Sequence, residues 1–358
     1  MTGCLLVAAM VTIGGITRLT GSGLSITEWD VVVGTLPPLS ETAWQDLFAK
    51  YQATPQYHLV NAHFGLTEFK RIFWWEYVHR LLGRAIGLVF LIPFLYFLLK
   101  DYFDRSLWNR VLLILGLGAF QGLLGWLMVA SGLVDRPAVS HYRLAAHLLT
   151  ALLTFGVTLW VALGLTGGRT DGPTDRRTDR LTTGLRMAVR GFALLLGLQL
   201  LYGAFVAGLK AGGMFNTFPL MGGALVPAGL GVLSPGWRNF TENPVAVQFI
   251  HRLLGIALLV YSLVLGRRLV RHGLPLEGKL VGSAVLLQFV LGVFTILRFP
   301  VSPVFWGALH QAGAVVLLTA TVIALYGTRR FVPPDTVESP VFSPPGVSAN
   351  PVAVPIDS

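Results

Sequence analysis

Charged residues are scarce in this sequence, and cysteine is nearly absent. Of the 358 residues only 12% are charged, about half the share found in a typical soluble domain. With 54% hydrophobic residues, this excludes a single large soluble core and indicates many helices embedded in lipid. The one cysteine, Cys4, rules out an intrachain disulfide and a cysteine-based metal site. Any metal must therefore be held by other ligands, and the eight histidines are the natural candidates.

The net charge of +10 raises the question of nucleic-acid binding. The basic residues fall in short clusters between apolar runs, and they do not follow one helix face or alternate with aromatic residues. This distribution is typical of membrane orientation and argues against a nucleic-acid partner.

Eight apolar runs are long enough to cross the roughly 30 Å hydrocarbon core of a bilayer. They lie near 1–18, 73–99, 108–131, 142–166, 186–208, 245–266, 279–298 and 304–327. The first run lacks a basic start and a small-residue cleavage site, so we interpret it as a membrane helix and not a signal peptide. The polar segment 18–71 contains an amphipathic stretch around Trp44, Leu47, Phe48 and Tyr51. The sequence thus predicts an all-α integral membrane protein with eight transmembrane helices.

The basic clusters also predict the topology. They follow the second, fourth, sixth and eighth spans, which places all of them on one side of the membrane. By the positive-inside rule this side is cytoplasmic, so both termini are predicted to be cytoplasmic. The connection around 170–180 is predicted to be a solvated linker, and the Pro- and Ser-rich tail after Phe331 is predicted to be disordered.

The sequence contains an internal duplication. Residues 76–83 read Glu-Tyr-Val-His-Arg-Leu-Leu-Gly and residues 248–255 read Gln-Phe-Ile-His-Arg-Leu-Leu-Gly. The third and seventh spans share Gln121-x-x-Leu-Gly and Gln288-x-x-Leu-Gly, and the fourth and eighth spans each carry one histidine. We therefore predict two pseudo-symmetric four-helix halves, 1–166 and 186–328, joined by a linker at 167–185 and followed by a tail at 329–358.

Four histidines occupy matching depths in these halves. The set is His79 and His147 in the first half, and His251 and His310 in the second. A single membrane histidine often just hydrogen-bonds to a neighbouring helix, but four at one depth, two per repeat, indicate a function. Zinc prefers three or four ligands, whereas haem iron has two axial positions and its porphyrin fills an apolar slot between helices. The pattern favours one haem between each histidine pair.

An arginine follows the first histidine of each pair. Arg80 and Arg252 could reach haem propionates, or they could extend to the membrane surface and pair with loop acids. The sequence leaves both interpretations open.

The duplication is broken at Glu76, whose counterpart is Gln248. Glu76 lies one turn before His79 on the same helix face. A carboxylate in a low-dielectric site is costly unless it pairs with a cation or takes part in chemistry. One interpretation pairs Glu76 with Arg71, Arg80 or Arg143. The other makes the first half the reactive one, with Glu76 as a catalytic residue.

Further sequence motifs are similar to those of a known protein family. They are Gly-Gly-Ile-Thr-Arg-Leu-Thr-Gly-Ser-Gly-Leu-Ser-Ile at 14–26, Glu-Trp at 28–29, Glu-Phe-Lys at 68–70, Glu-Tyr-Val-His-Arg at 76–80, Arg-Leu-Ala-Ala-His at 143–147, Asn-Thr-Phe-Pro-Leu-Met at 216–221 and Phe-Ile-His-Arg at 249–252. Together they resemble the haem A synthases, over residues 11 to 327. The absence of cysteine pairs places the resemblance with the cysteine-free branch. Lys210 departs from it, since we expect an acidic residue there.

The resemblance implies an oxidoreductase of the bacterial inner membrane that acts on a CH group of haem O. It implies oxidation of the C8 methyl to a formyl group by successive hydroxylation, with haem O between His79 and His147 and a resident haem b between His251 and His310. It implies Glu76 as the essential glutamate. Haem O synthase and cytochrome oxidase assembly proteins are the implied partners, and a homo-oligomer remains open.

Two other functions fit parts of the pattern. A dihaem membrane electron carrier of the cytochrome b type would hold two permanent haems and have no need for Glu76. A transporter built from parallel repeats would hold no coloured cofactor at all.

Overall fold

A computed structural model describes residues 1–28, 33–132, 139–166 and 176–330 of the chain. Its ten α-helices within these ranges are α1 (Thr2–Leu19), α2 (Glu41–Gln52), α3 (Pro55–Leu59), α4 (Leu66–Leu99), α5 (Arg105–Gly132), α6 (His141–Thr166), α7 (Arg176–Gly208), α8 (Pro244–Arg271), α9 (Pro275–Arg298) and α10 (Pro303–Arg330). No strand occurs in these ranges. The tail predicted after Phe331 and the first part of the predicted linker lie outside the described residues.

Eight of these helices are long and apolar enough to cross a membrane, with mean hydropathies from 1.6 to 2.3. They are α1 and α4 to α10, so the predicted all-helical membrane fold with eight spans is confirmed. The bounds differ at several ends. α4 begins at Leu66 where residue 73 was predicted, and α7 begins at Arg176 where residue 186 was predicted. Both helices continue beyond the apolar stretch into polar residues, so a hydropathy pattern does not reveal where they begin.

The helices pack as two groups that share a seam. α1 lies against α4 and α10, and α7 lies against α8 and α6. α10 also contacts α6 and α7, so α1, α6, α7 and α10 form the contact between the halves. Two buried apolar clusters occupy this arrangement, one around Val189, Phe192 and Leu265 and the other around Val11 and Phe155. The seam therefore fixes the spacing between the two histidine pairs.

The segment between α1 and α4, called the outer segment after its predicted orientation, folds onto the first turns of α4. The amphipathic stretch predicted around Trp44 forms α2, and its Trp44 and Tyr51 are buried. Trp44 meets Phe73 edge-to-face with ring centroids 4.8 Å apart, and Tyr51 stacks on Phe69 at 5.2 Å. With 34 residues α4 is about 51 Å long, well beyond the hydrocarbon thickness. Its protruding start carries the aromatic platform that holds the outer segment in place.

Lys210 occupies a left-handed backbone position two residues after the end of α7, with φ 54° and ψ 27°. The matching residue after α1 is Gly21, with φ +70°. Glycine adopts this conformation without strain, whereas a side chain at such a position costs about 1 kcal/mol. The unexpected lysine therefore stands where backbone geometry favours glycine.

Replacing Lys210 with glycine is expected to raise the free energy of unfolding by about 1 kcal/mol, because the strain of the left-handed conformation is removed. Thermal unfolding of the detergent-solubilised protein measures the gain. Lys210→Ala serves as the control, since it removes the charge but keeps the strained side chain. An equal gain in the alanine variant would show that the charge, and not the backbone, is responsible.

Candidate haem sites

The four predicted histidines lie on α4, α6, α8 and α10; three of them are within about two turns of the helix start, and His79 is in the fourth turn of the longer α4. All four are partly buried. In every one the Nδ1 atom is buried and has no hydrogen-bond partner among the described residues. A buried polar atom without a partner is costly, and finding it four times at matching positions indicates sites built for a ligand.

The second half brings the imidazoles of His251 and His310 close together. Their ring centroids are 6.5 Å apart and the rings are nearly perpendicular, at 85°. With metal–nitrogen bonds of about 2 Å, two imidazoles that share one metal ion have ring centroids roughly 6 Å apart. In the described part of the chain, no group of three or more His, Cys, Asp or Glu side chains could hold a metal ion. The pair thus fits iron porphyrin with two axial imidazoles and does not fit a zinc site.

In the first half His79 and His147 form the corresponding pair. They lie close enough to interact electrostatically. The structure thus brings together the histidines that were paired from the sequence, His79 with His147 and His251 with His310.

Glycines on neighbouring helices make room for the imidazoles. A Cβ atom added to Gly14 of α1 would lie 2.9 Å from Cε1 of His79, and one added to Gly203 of α7 would lie 3.2 Å from Cε1 of His251. On α9, Gly292 stands in the same relation to His310, at 3.1 Å. These distances are shorter than ordinary carbon contacts. Each glycine therefore allows a ligand ring to pack directly against a helix backbone.

The shared Gln-x-x-Leu-Gly pattern has a structural role. Gln121 donates from Nε2 to the backbone carbonyl of His147 at 2.8 Å, and Gln288 donates in the same way to the carbonyl of His310 at 3.0 Å. Each glutamine thus fixes the second histidine of its pair through the backbone. These are positioning contacts, which the sequence indicated only as a repeat.

Glu76 is buried, with 2% of its surface exposed, and both carboxylate oxygens are engaged. Oε2 accepts hydrogen bonds from the Ser25 backbone N–H (2.7 Å), the Ser25 hydroxyl (2.7 Å) and the Ile26 N–H (2.9 Å). Oε1 accepts from Nε and Nη2 of Arg80, at 3.1 and 2.6 Å. Of the three arginines considered as partners, the structure therefore selects Arg80.

Gln248 differs from Glu76 in its contacts. Its Nε2 donates to the Phe215 carbonyl at 3.3 Å, and its Oε1 is buried without a partner among the described residues. The first half thus holds a carboxylate paired with Arg80 one turn from His79, and the second half holds a neutral amide one turn from His251.

The two arginines bind outer loops in equivalent ways. Arg80 donates to the carbonyls of Ile26 (2.8 Å) and Glu28 (2.7 Å), and Arg252 donates to those of Phe215 (2.8 Å) and Thr217 (2.8 Å). Each therefore anchors the loop that follows the first helix of its half. The Nε of Arg252 remains buried without a partner among the described residues. Contact of either arginine with a propionate stays a prediction.

A second difference between the halves was missed by sequence reasoning. A Cβ added to Gly83 would lie 3.3 Å from Met10 Cε, and one added to Gly255 would lie 3.4 Å from Gln199 Nε2. Met10 and Gln199 thus hold the same place, one turn before Gly14 and Gly203. Gln199 Nε2 also lies 3.5 Å from His251 Nε2. Met10 and Gly14 have the same spacing as Gln199 and Gly203. The sequences of α1 and α7 are too different for this correspondence to be recognised from the sequence alone.

The first half is more open to lipid than the second. α8 packs along α9, whereas α4 touches α5 at few points. In the most apolar stretch of α4 no residue is buried, whereas 17% of the residues are buried in the most apolar stretch of α8. The contact between α4 and α5 is therefore looser than that between α8 and α9, and the latter part of α4 is exposed.

The remaining histidines lie away from the two pairs. His58 and His63 belong to the outer segment near α3, and His272 contacts the Arg268 carbonyl at the end of α8. His141 opens α6 and packs against Gly208. None contributes to a paired site.

Comparison with known proteins agrees with this architecture. Residues 1–322 match the sequence model of a family described as cytochrome oxidase assembly protein. The chain belongs to this family. A relative from Nitrosospira multiformis named "Heme A synthase" is 48% identical over 338 residues, covering 91% of each chain. Relatives of the same name from Parvibaculum lavamentivorans (47% identical, 88% of this chain and 89% of the relative) and Flavobacterium psychrophilum (43%, covering 91% and 96%) are also similar.

Replacing Gly203 with valine is expected to lower the haem content of the protein, because the new side chain would occupy the space of the His251 ring, which is predicted to hold haem in the second half. Absorbance of the purified protein, scaled to protein content, measures the loss. Gly197→Val on the same helix is the control, since no atom lies within 4 Å of a Cβ added there. Full pigment in the Gly203 variant would contradict the packing described.

Proposed function

We propose that this protein is a haem A synthase that oxidises the C8 methyl of haem O to a formyl group by successive hydroxylation. Haem O is the substrate between His79 and His147, and haem b is the resident cofactor between His251 and His310. The observation that carries this assignment is the asymmetry of two otherwise matching sites. The buried carboxylate of Glu76 lies one helical turn before His79, whereas the matching position before His251 holds the neutral Gln248.

The contacts of Glu76 favour one catalytic role over another. A carboxylate accepts at about four lone-pair positions, and its partners Ser25, Ile26 and Arg80 fill that capacity. Taking up a proton would break some of these bonds. We therefore assign Glu76 the stabilisation of positive charge that develops near the substrate methyl, by a group fixed in advance. Ser25 and Arg80 act as positioning residues that hold the carboxylate in place.

The resident cofactor fits the second half. His251 and His310 would hold the iron, and Gly203, Gly292 and Gln288 would keep both imidazoles in position. When bound, haem b supplies one-electron transfer. The protein contributes the enclosed apolar surroundings and the seam between α1 and α10, along which Gln311 next to His310 donates to the Val11 carbonyl.

The open side of the first half supports its assignment as the substrate site. Haem O carries a long isoprenoid chain and dissolves in lipid, so it would reach the site from the bilayer. The gap between α4 and α5 offers such a route. We further propose that both termini are cytoplasmic, and that haem O synthase and oxidase assembly proteins are partners.

Glu76→Gln is expected to lower the yield of formyl product by on the order of a hundredfold, the usual cost of losing one preorganised electrostatic group. Haem should stay bound, because no iron ligand changes. Chromatography of haems extracted from protein made in cells that supply haem O measures both quantities. Gln248→Ala is the control and should leave product yield near that of the wild type.

Two outcomes would contradict the proposal in different ways. Wild-type product yield from Glu76→Gln would remove Glu76 from the mechanism. Recovery of haem b alone from the unaltered protein would favour the dihaem electron carrier.

A further inference from the structure

A cleft of about 500 Å³ opens at the end of the bundle opposite the histidines. It lies between α6, α7 and α10. Its lining residues are Trp160, Arg186, Arg190, Leu325, Thr328 and Arg329. None of them belongs to the haem sites, so this arginine cleft is a separate feature of the molecule.

The arginine cleft lies at the depth of the membrane–water boundary. Arg186 and Arg190 fall in the first turns of the span Thr183–Gly208, and Arg329 ends the span Pro303–Arg329. With a rise of 1.5 Å per residue, Arg329 is roughly 28 Å along α10 from His310. The cleft and the histidine pairs are therefore at opposite faces of the bilayer, and the basic clusters predict that the cleft faces the cytoplasm.

The three guanidinium groups of the cleft are held in place but not neutralised. Arg186 donates from Nε to the Thr328 carbonyl at 2.9 Å, and Arg329 lies over the Trp160 ring at 5.7 Å. Arg190 contacts Met187 Sδ at 3.9 Å. Within the described part of the chain none of the three forms an ion pair with a carboxylate. Three like charges at one cleft repel each other, and an anion between them would relieve that repulsion.

The chemistry of the cleft selects a phosphate-bearing ligand. Guanidinium groups match the oxygens of phosphate and donate to them in pairs. Leu325 and the Trp160 ring add apolar surface next to these charges, and tryptophan is typical of the boundary where lipid headgroups lie. Basic pockets between membrane helices on the cytoplasmic side are suited to acidic lipid headgroups.

We propose that the arginine cleft binds the phosphodiester headgroup of an acidic glycerophospholipid such as phosphatidylglycerol. The bound lipid would bridge α7 and α10, which also form part of the seam between the two halves. This proposal does not depend on the chemistry at the haem sites.

Native mass spectrometry of protein purified from vesicles of mixed phosphatidylglycerol and phosphatidylcholine tests the proposal. The wild type should retain one phosphatidylglycerol per chain. The double variant Arg190→Gln/Arg329→Gln should retain about one fifth or less of the phosphatidylglycerol that the wild type retains. The matched control is Arg268→Gln/Arg271→Gln, which removes the same charge from the end of α8 at the same face. It should retain the lipid, and both variants should keep the haem absorbance of the wild type.

Three results would overturn the proposal. The first is equal loss of lipid in both double variants, which would indicate general surface attraction. The second is retention of phosphatidylcholine as readily as phosphatidylglycerol. The third is a rise in melting temperature with inorganic phosphate as large as that with phosphatidylglycerol, which would indicate a site for free phosphate.

Discussion

The structure depends on the pairing of two imidazoles from alternate helices inside an apolar bundle. An imidazole nitrogen that is buried without a partner is unfavourable, and here the four paired histidines share that condition among the described residues. The protein nevertheless holds these histidines in fixed positions. Gly14 and Gly203 bring helix backbones against the rings, and Gln121 and Gln288 hold the backbone of the second histidine in each pair. Iron porphyrin held between the rings would explain why glycine and glutamine contacts from neighbouring helices converge on these histidines.

Two nearly matching sites can differ in function when a few charges and contacts differ. The Glu76–Arg80 pair is buried, with side-chain exposures of 3% and 10%. A buried ion pair is costly unless further hydrogen bonds satisfy it, and Ser25 and Ile26 supply these bonds. In the second half Gln248 replaces the charge, and Gln199, which corresponds to Met10, lies beside His251. The first half is also the more open to lipid. Charge, polarity and access all distinguish the halves.

The sequence predicted the parts of this account that depend on local pattern. Hydropathy gave the eight spans, and the repeated His-Arg-Leu-Leu-Gly string gave the equivalence of α4 and α8. The pairing of His251 with His310 followed from equal depth, which the helical rise determines. These predictions rest on periodicities that tertiary structure does not change.

Other features depended on contacts between distant parts of the chain. Ser25 is 51 residues from Glu76, and no pattern in the sequence shows that its N–H reaches the carboxylate. Recognising that Gln199 corresponds to Met10 requires knowing that α1 and α7 are equivalent helices. The sequences of these helices differ at most positions. The arginine cleft joins residues of α6 and α7 to residues of α10, which lies far from them in sequence. The sequence shows that these basic residues are present, but it does not show that they lie together in the folded protein.

The most direct test of the account is the absorption spectrum of purified protein in which His251 or His310 is replaced by alanine. The account predicts that either change removes the Soret band of the second-half haem, because each imidazole is one of its two axial ligands. His272→Ala, at a histidine outside both pairs, should leave the spectrum unaltered. An unchanged Soret band and pigment content in the His251 and His310 variants would contradict the central claim.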